Sequence, residues 1–471
     1  MELHSQPVRT GPLLAILSGA PFVASLDLFV VNVAFGDIAK SYPGHSLGEF
    51  SWILNSYAIV YAALLIPLGR WADRIGHKRA FIAGLALFTL ASAACAFSPS
   101  LWALVAFRIV QAVGAAALTP ASLGLLISAL PAAKRQSGVR IWAAAGAAAA
   151  AFGPVVGGIL VEASWRWVFL INVPVGIVLL YLAVRLVPDT THKDPDAGID
   201  VVGAALLTVG VGSLALALVQ GPDWGWTDSR VLIAFAVAAV TLLSFWWSNS
   251  RHRTPLIAPD LLKIRSFAWS NVTAILFSAA FAAGLLSNIL WLQEVWGYSA
   301  LRTGFAVSPG PLLVPLFAIA GGSLSRKYSA GRVAALGSLL WAVGTVLVLV
   351  SVDTTPNYVT GLLPGWIIAG IGVGLALPTI LSQATADLAP ARSATGSAIV
   401  SMSRQIGTVL GVSVLIAVLG SAVDYDTFRQ AWWVIFAVAL ASALASLGMT
   451  PATTPTPVVP AESAVPERNL S

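Results

Sequence analysis

The chain has 471 residues, of which 58% are hydrophobic and 10% charged, against roughly 25% charged residues in a water-soluble domain. That balance excludes a soluble fold, a disordered chain, collagen and a coiled coil. Apolar stretches recur from residue 12 to residue 449, and about 20 such residues cross a bilayer as a helix, so the sequence reads as an all-α polytopic membrane protein. The net charge of +6 is spread between the apolar runs and not gathered in one patch, which argues against a nucleic-acid partner.

The first run, residues 13 to 36, follows a single basic residue, Arg9, and ends in the polar segment Asp37 to Glu49 without a small-residue cleavage site. It is expected to be a retained helix and not a removed signal peptide. The second run (50 to 68) leads into the loop Gly69-Arg-Trp-Ala-Asp73-Arg74-Ile-Gly76-His-Lys78-Arg79. The third (80 to 98) holds Cys95, the single cysteine, so neither an intrachain disulfide nor a thiolate metal cluster can form. The fourth (101 to 130) carries Arg108 and Gln111, and the fifth (139 to 161) carries Gly153, Pro154, Gly157 and Gly158. Nine further runs follow, at 165 to 187, 199 to 220, 230 to 249, 267 to 293, 302 to 324, 332 to 351, 359 to 386, 396 to 422 and 431 to 449, which predicts fourteen membrane helices. All five histidines lie in polar segments, which leaves the membrane interior without imidazole metal ligands or an HExxH pair.

Alternate loops divide the 26 Lys and Arg residues nineteen against five, with Arg108 and Arg404 left inside the runs. The positive-inside rule then places both termini in the cytoplasm, and the plasma (inner) membrane is the expected location. A repeat appears at an offset of 258 residues, where Arg108 to Gly138 runs parallel to Trp366 to Gly396: Gly114 meets Gly372, Pro120 meets Pro378, Leu130 meets Leu388, and Gly138 meets Gly396. The expected layout is therefore two pseudo-symmetric six-helix bundles, residues 1–190 and 267–449, with an inserted helix pair at 191–266 and a disordered cytoplasmic tail at 450–471. Repeated membrane halves with a site between them are the architecture of secondary transporters, since rocking one half on the other exposes a midplane site to each side in turn.

An ionisable residue at membrane depth costs on the order of 2.5 to 3.5 kcal/mol on insertion scales, so each calls for a partner or a function. Asp27, Arg108 and Arg404 are the candidates. At 1.5 Å per residue Asp27 lies about 12 Å below the outer end of the first helix and Arg108 about 10 Å below the same surface. At one level facing a shared cavity the two would hold each other ionised, and a proton or a cationic ligand could compete for the carboxylate; a static ion pair pinning two helices is the alternative. Arg404 lies about 12 Å from the cytoplasmic end of the thirteenth helix, where it could meet an anionic substrate group, a gating carbonyl or helix-end carbonyls. The glycines of the basic loop let helix ends approach, and Asp73 can pair with a neighbouring arginine to latch the cytoplasmic side. Gly153 and Gly157 share a face that permits close packing, and Pro154 supplies a bend. The tryptophans near the helix ends, including Trp165, Trp167, Trp224, Trp226, Trp432 and Trp433, are expected to form an interfacial belt.

These residues resemble a known family, the fourteen-helix drug:proton antiporters of the major facilitator superfamily. The resemblance runs nearly the whole chain. Leu26-Asp27 with Val31-Asn32-Val33-Ala34 is similar to its first-helix signature, and Trp52, Tyr57, Pro67 and Gly69-Arg70 through Arg79 to its second helix and loop. Arg108, Gln111, Gly114 and Ala116 match its fourth-helix motif; Gly153-Pro154 and Gly157-Gly158 its antiporter motif; and Arg404-Gln405 with Gly407 and Gly411 its thirteenth helix. Ala112, Phe35-Gly36 and Phe29 depart from the usual pattern.

The resemblance implies export of amphipathic small molecules and drugs in exchange for protons, with no enzymatic activity and no cofactor beyond the proton gradient. It further implies that Asp27 and Arg108 couple the proton, that Gly69, Asp73, Arg74, Gly76, Lys78 and Arg79 form the cytoplasmic gate, and that Asn32, Tyr57, Gln111 and Arg404 line the cavity of a protein functional as a monomer. No acid occurs in the tenth or thirteenth helix, which argues against dicationic substrates. An exporter of one endogenous metabolite or lipid, or a non-transporting receptor, are the other readings.

Overall fold

The computed structural model describes residues 10–189, 198–388, 392–420 and 424–449. Among them, fourteen helices are long and apolar enough to cross a membrane: α1 (Gly11–Ser41), α2 (Leu47–Ile75), α3 (His77–Ala96), α4 (Leu101–Ala129), α5 (Ser137–Ala163), α6 (Trp167–Leu186), α7 (Val201–Trp224), α8 (Ser229–Arg251), α9 (Arg265–Val295), α10 (Ala300–Tyr328), α11 (Ala330–Ser351), α12 (Tyr358–Ala386), α13 (Thr395–Leu419) and α14 (Tyr425–Leu447). Each follows one apolar run. The tail at 450–471 lies outside the described residues.

Helix ends depart from the runs where capping overrides hydropathy. Ser46 and Glu49 close a capping box that starts α2 within a polar segment. Asp424 starts α14 by accepting the Thr427 N–H at 2.9 Å, a bond that holds its carboxyl below the usual range. The expected loop from Gly69 to Arg79 is helical: residues 69–75 belong to α2, 77–79 to α3, and Gly76 alone turns the chain with φ of 99°, a conformation that glycine adopts at little steric cost. Two spans are uneven within. α10 is interrupted at Ser308, ahead of Pro309, and α9 ends in a π-turn, Trp291–Val295.

The repeat is written into the packing. α3 crosses α4 where a Cβ on Gly84 would fall 2.9 Å from the Gly114 carbonyl oxygen, and α11 crosses α12 where a Cβ on Gly337 would fall 2.6 Å from that of Gly372. Gly138 closes on Leu130 as Gly396 closes on Leu388, and Gly153 packs on Phe29 of α1 as Gly411 packs on Ala279 of α9. In membranes, where lipid tails are as apolar as Leu, such backbone approaches hold helices together. The inserted α7 lies against both halves: the Val219 carbonyl oxygen is 3.0 Å from a Cβ on Gly48 of α2, and Pro222 is 3.6 Å from one on Gly420 beyond α13.

The halves meet at the end away from the termini. There Gly158 of α5 packs on Ala300 and Leu301 of α10, Gly304 on Pro154, and Gly36 on Gln293, whose Nε2 donates to the Val33 carbonyl at 2.9 Å. Toward the termini the close glycine contacts stay within one half: Gly69 on Pro120, Gly124 on His77, Gly138 on Leu130, Gly396 on Leu388.

The aromatic belt is only partly formed. Trp167, Trp226 and Trp433 are exposed, but Trp165 and Trp432 are buried. Trp432 packs with Trp291 (5.2 Å between ring centroids) and Phe428 (5.9 Å) inside the second half, because those ring faces turn inward and bury far more apolar area than an interface would.

Candidate functional site

α1, α3, α4 and α6 bring five polar side chains to one buried point in the first half. Asp27 of α1 is 1% exposed and Arg108 of α4 is 0% exposed. Arg108 Nη1 donates to Asp27 Oδ2 and to Gln111 Oε1 at 2.6 Å. Asp27 Oδ1 accepts from Gln111 Nε2 at 2.8 Å and from Asn172 Nδ2 at 2.9 Å. Ser92 of α3 accepts from both amides, at 2.7 Å from Gln111 and 3.4 Å from Asn172. The spacing of Arg108 and Gln111, three residues apart on one helix face, is what lets both reach the same carboxylate.

Arg108 is fixed from the other side by α2. Its Nε donates to the Ile53 carbonyl at 3.2 Å, and its guanidinium carbon lies 4.2 Å from the centre of the Tyr57 ring. Tyr57 in turn stacks on Tyr61, with centroids 6.0 Å apart and planes at 7°. Every hydrogen bond to Asp27 is one it accepts, an arrangement that suits the ionised carboxylate. Oδ1 takes two of these donors and Oδ2 one, which leaves about one acceptor site of the carboxylate open.

The other candidates separate from this cluster. Asn32 bonds within α1, donating to the Leu28 carbonyl at 2.7 Å. Arg404 of α13, in the second half, lies within electrostatic range of Tyr61 of α2 in the first. Of the basic segment, Lys78 donates to the Val184 carbonyl of α6 at 3.3 Å and Asp73 lies 3.5 Å from His77, while Arg74 and Arg79 are exposed. Gly153, Pro154, Gly157 and Gly158 form the seam of α5: the first and third pack on Phe29 and Val30 of α1, the second and fourth on Gly304 and Ala300 of α10. The antiporter motif thus touches both halves.

Sequence reasoning missed Asn172 and Ser92 as members of the charged site. Each is a polar residue in an apolar helix, and that signal could have found them; they carry no charge, and only the depth of charged residues was matched.

The model of the Major Facilitator Superfamily matches residues 17–412 and 272–470. The chain belongs to this superfamily. The chain is 30% identical over 421 residues to a methylenomycin A resistance protein of Streptomyces coelicolor, covering 89% of this chain and 88% of the relative. It is 31% identical over 442 residues to a tetracenomycin C resistance and export protein of Streptomyces glaucescens, covering 91% and 79%. A solved POT family transporter in complex with 5-aminolevulinic acid superposes with a TM-score of 0.70 at 16% identity, over 96% of this chain and 98% of that one. As a major facilitator the protein is a multi-pass membrane transporter of small molecules and not an enzyme, and the non-transporting receptor reading falls.

Proposed function

We propose that this transporter exports amphipathic small molecules from the cytoplasm across the plasma membrane, each in exchange for entering protons, by alternating access. It works as a monomer, with both termini in the cytoplasm, and draws on the proton gradient with no bound cofactor. The observation that carries this reading is Asp27: a carboxylate at membrane depth, 1% exposed, with donors from Arg108, Gln111 and Asn172. A proton carrier needs a group that can bind and release a proton while its surroundings change, and a carboxylate whose donors sit on two other helices meets that need. Helix contacts gathered at the end away from the termini support a resting form open toward the cytoplasm. Relatives named for resistance to methylenomycin A and for export of tetracenomycin C support organic compounds as cargo.

Purified protein in liposomes, given an imposed pH gradient and a panel of chemically diverse organic compounds, tests the proposal. Movement of at least one compound against its concentration, accompanied by counter-movement of protons, is the expected result. Flux that ignores the gradient would overturn proton exchange.

A further inference from the structure

Arg404 has no counterpart in the first half, where Gly146 holds the position 258 residues earlier. Its Nε is enclosed without a hydrogen-bond partner, and no acid pairs with it among the described residues; Tyr61 of α2 lies within electrostatic range. Its own bond is through the backbone, whose carbonyl accepts from Thr408 at 3.1 Å. Next to it, Gln405 Oε1 is likewise enclosed and unpartnered. Asp27, the carboxylate at membrane depth in the first half, is already taken by Arg108, Gln111 and Asn172. The two arginines at membrane depth differ in their counter-charge: Arg108, though its Nη2 is also enclosed without a partner, is paired with the Asp27 carboxylate, whereas Arg404 has no carboxylate beside it among the described residues.

An unmatched guanidinium held at that depth is a standing cost that a structural role does not explain, since a neutral glutamine would fill the space without it. A guanidinium is a planar fork that fits a carboxylate through two parallel hydrogen bonds. Tyr61 of α2, stacked on Tyr57, lies within electrostatic range of it from the first half, and half-buried Phe29 of α1 meets Phe281 of α9 edge-on across the halves at 6.3 Å between centroids. We infer that Arg404 is the anchor of an anionic substrate, an amphipathic compound whose carboxylate pairs with this guanidinium while its apolar body lies among the aromatic rings. The inference rests on the exporter reading above and deepens it.

Charge balance gives the inference a second consequence. One proton entering and one monoanion leaving move two elementary charges in the same sense across the membrane, whereas a proton exchanged for a monocation moves none. An inside-negative potential therefore drives export of the anion even without a pH gradient.

The test uses three probes of matched shape: pyrenebutyrate, its primary amide and the corresponding trimethylammonium compound. Binding is read by tryptophan-to-pyrene energy transfer in detergent, and transport in liposomes under a potassium diffusion potential at equal pH on both sides. Pyrenebutyrate is expected to bind the unaltered protein at least tenfold tighter than the amide and to move under the potential alone. Arg404→Gln should abolish that preference, and Arg404→Lys, a point charge without the fork, should restore it in part. Equal binding of carboxylate and amide, or a preference that survives Arg404→Gln, would overturn the inference while leaving the exporter reading in place, provided that the amide or the cation is still pumped by a pH gradient. Failure of all three probes to bind or move would count against the exporter reading, and against this inference with it.

Discussion

Asp27 and Arg108 form the fully buried ion pair of the first half. Removing one partner of a buried pair costs on the order of 3 to 5 kcal/mol, because the remaining charge is left without compensation in a dry site. The two substitutions are not symmetric here. In Asp27→Asn the guanidinium keeps Gln111 Oε1 and the Ile53 carbonyl as acceptors and the Tyr57 ring as a face, so the protein is expected to fold with a modest fall in melting temperature. It should nevertheless lose uphill transport entirely, because an amide cannot carry the proton. Retained accumulation of substrate by this variant under a pH gradient would remove Asp27 from the coupling step. Arg108→Ala leaves the carboxylate with two amide donors and no cation, and it should both destabilise the fold by several kcal/mol and shift the pH profile of proton release on substrate binding. Arg108→Lys should recover stability better than coupling, since an ammonium replaces the charge but not the fork that spans Asp27 and Gln111. A proton-release profile identical in all three proteins would mean that the pair is a static pin between α1 and α4.

At the scale of helices, the two halves share their crossings and differ in what the crossings hold. The glycine contacts between α3 and α4 recur between α11 and α12, and these were legible in the sequence because glycine spacing is itself the packing code. The chemistry was legible on one side only. Where the first half places Arg108, the second has Trp366, which lies 5.9 Å from Trp341; Trp341 in turn packs at 6.4 Å on Phe277. An aromatic core stands at the place in the second half where the first half has its charge network, so among the described residues that network has no counterpart there. The basic segment was misread as a loop because its charges end the apolar run while the helix continues to Ile75, and Trp165 and Trp432 were misread as interfacial because closeness to a helix end does not say which way a ring turns. α5 is the element whose sequence said most. Gly153 and Gly158 face opposite halves, and a Cβ at these positions would fall 2.5 Å from Phe29 Cβ and 2.8 Å from the Ala300 carbonyl oxygen. Gly158→Leu should therefore prevent the close approach of α5 to α10 and slow turnover at least tenfold while leaving the Asp27 network whole. Gly153→Leu, directed at α1 within one half, should instead lower the melting temperature. Equal effects of both on turnover and on melting would mean that the seam has no directional role.

For the whole molecule, the decisive relation is between the closed end and the open one. Contacts of Gly158 with Ala300 and Leu301, of Gly304 with Pro154, and of Gly36 with Gln293 all join the halves at the end away from the termini, and alternating access requires that all of them part in every cycle. Gly36 and Gln293 come from α1 and α9, and a Cβ on Gly36 would lie 2.7 Å from Gln293 Oε1, so cysteines at both positions can be joined by a short thiol-bridging reagent. Cys95 is buried and leaves little background; a Cys95→Ser version removes the remainder. Bridging Gly36→Cys to Gln293→Cys should arrest transport, yet leave substrate binding from the termini side within a factor of two of the unbridged protein, since the gap toward that side is untouched. With a bis-methanethiosulfonate as the bridging reagent, each link is a disulfide, and its reduction by dithiothreitol should restore the original rate. A bridged protein that still transports at full speed would mean that the halves do not separate at this end, and the rocking mechanism would have to be replaced by one in which substrate passes a seam that stays shut.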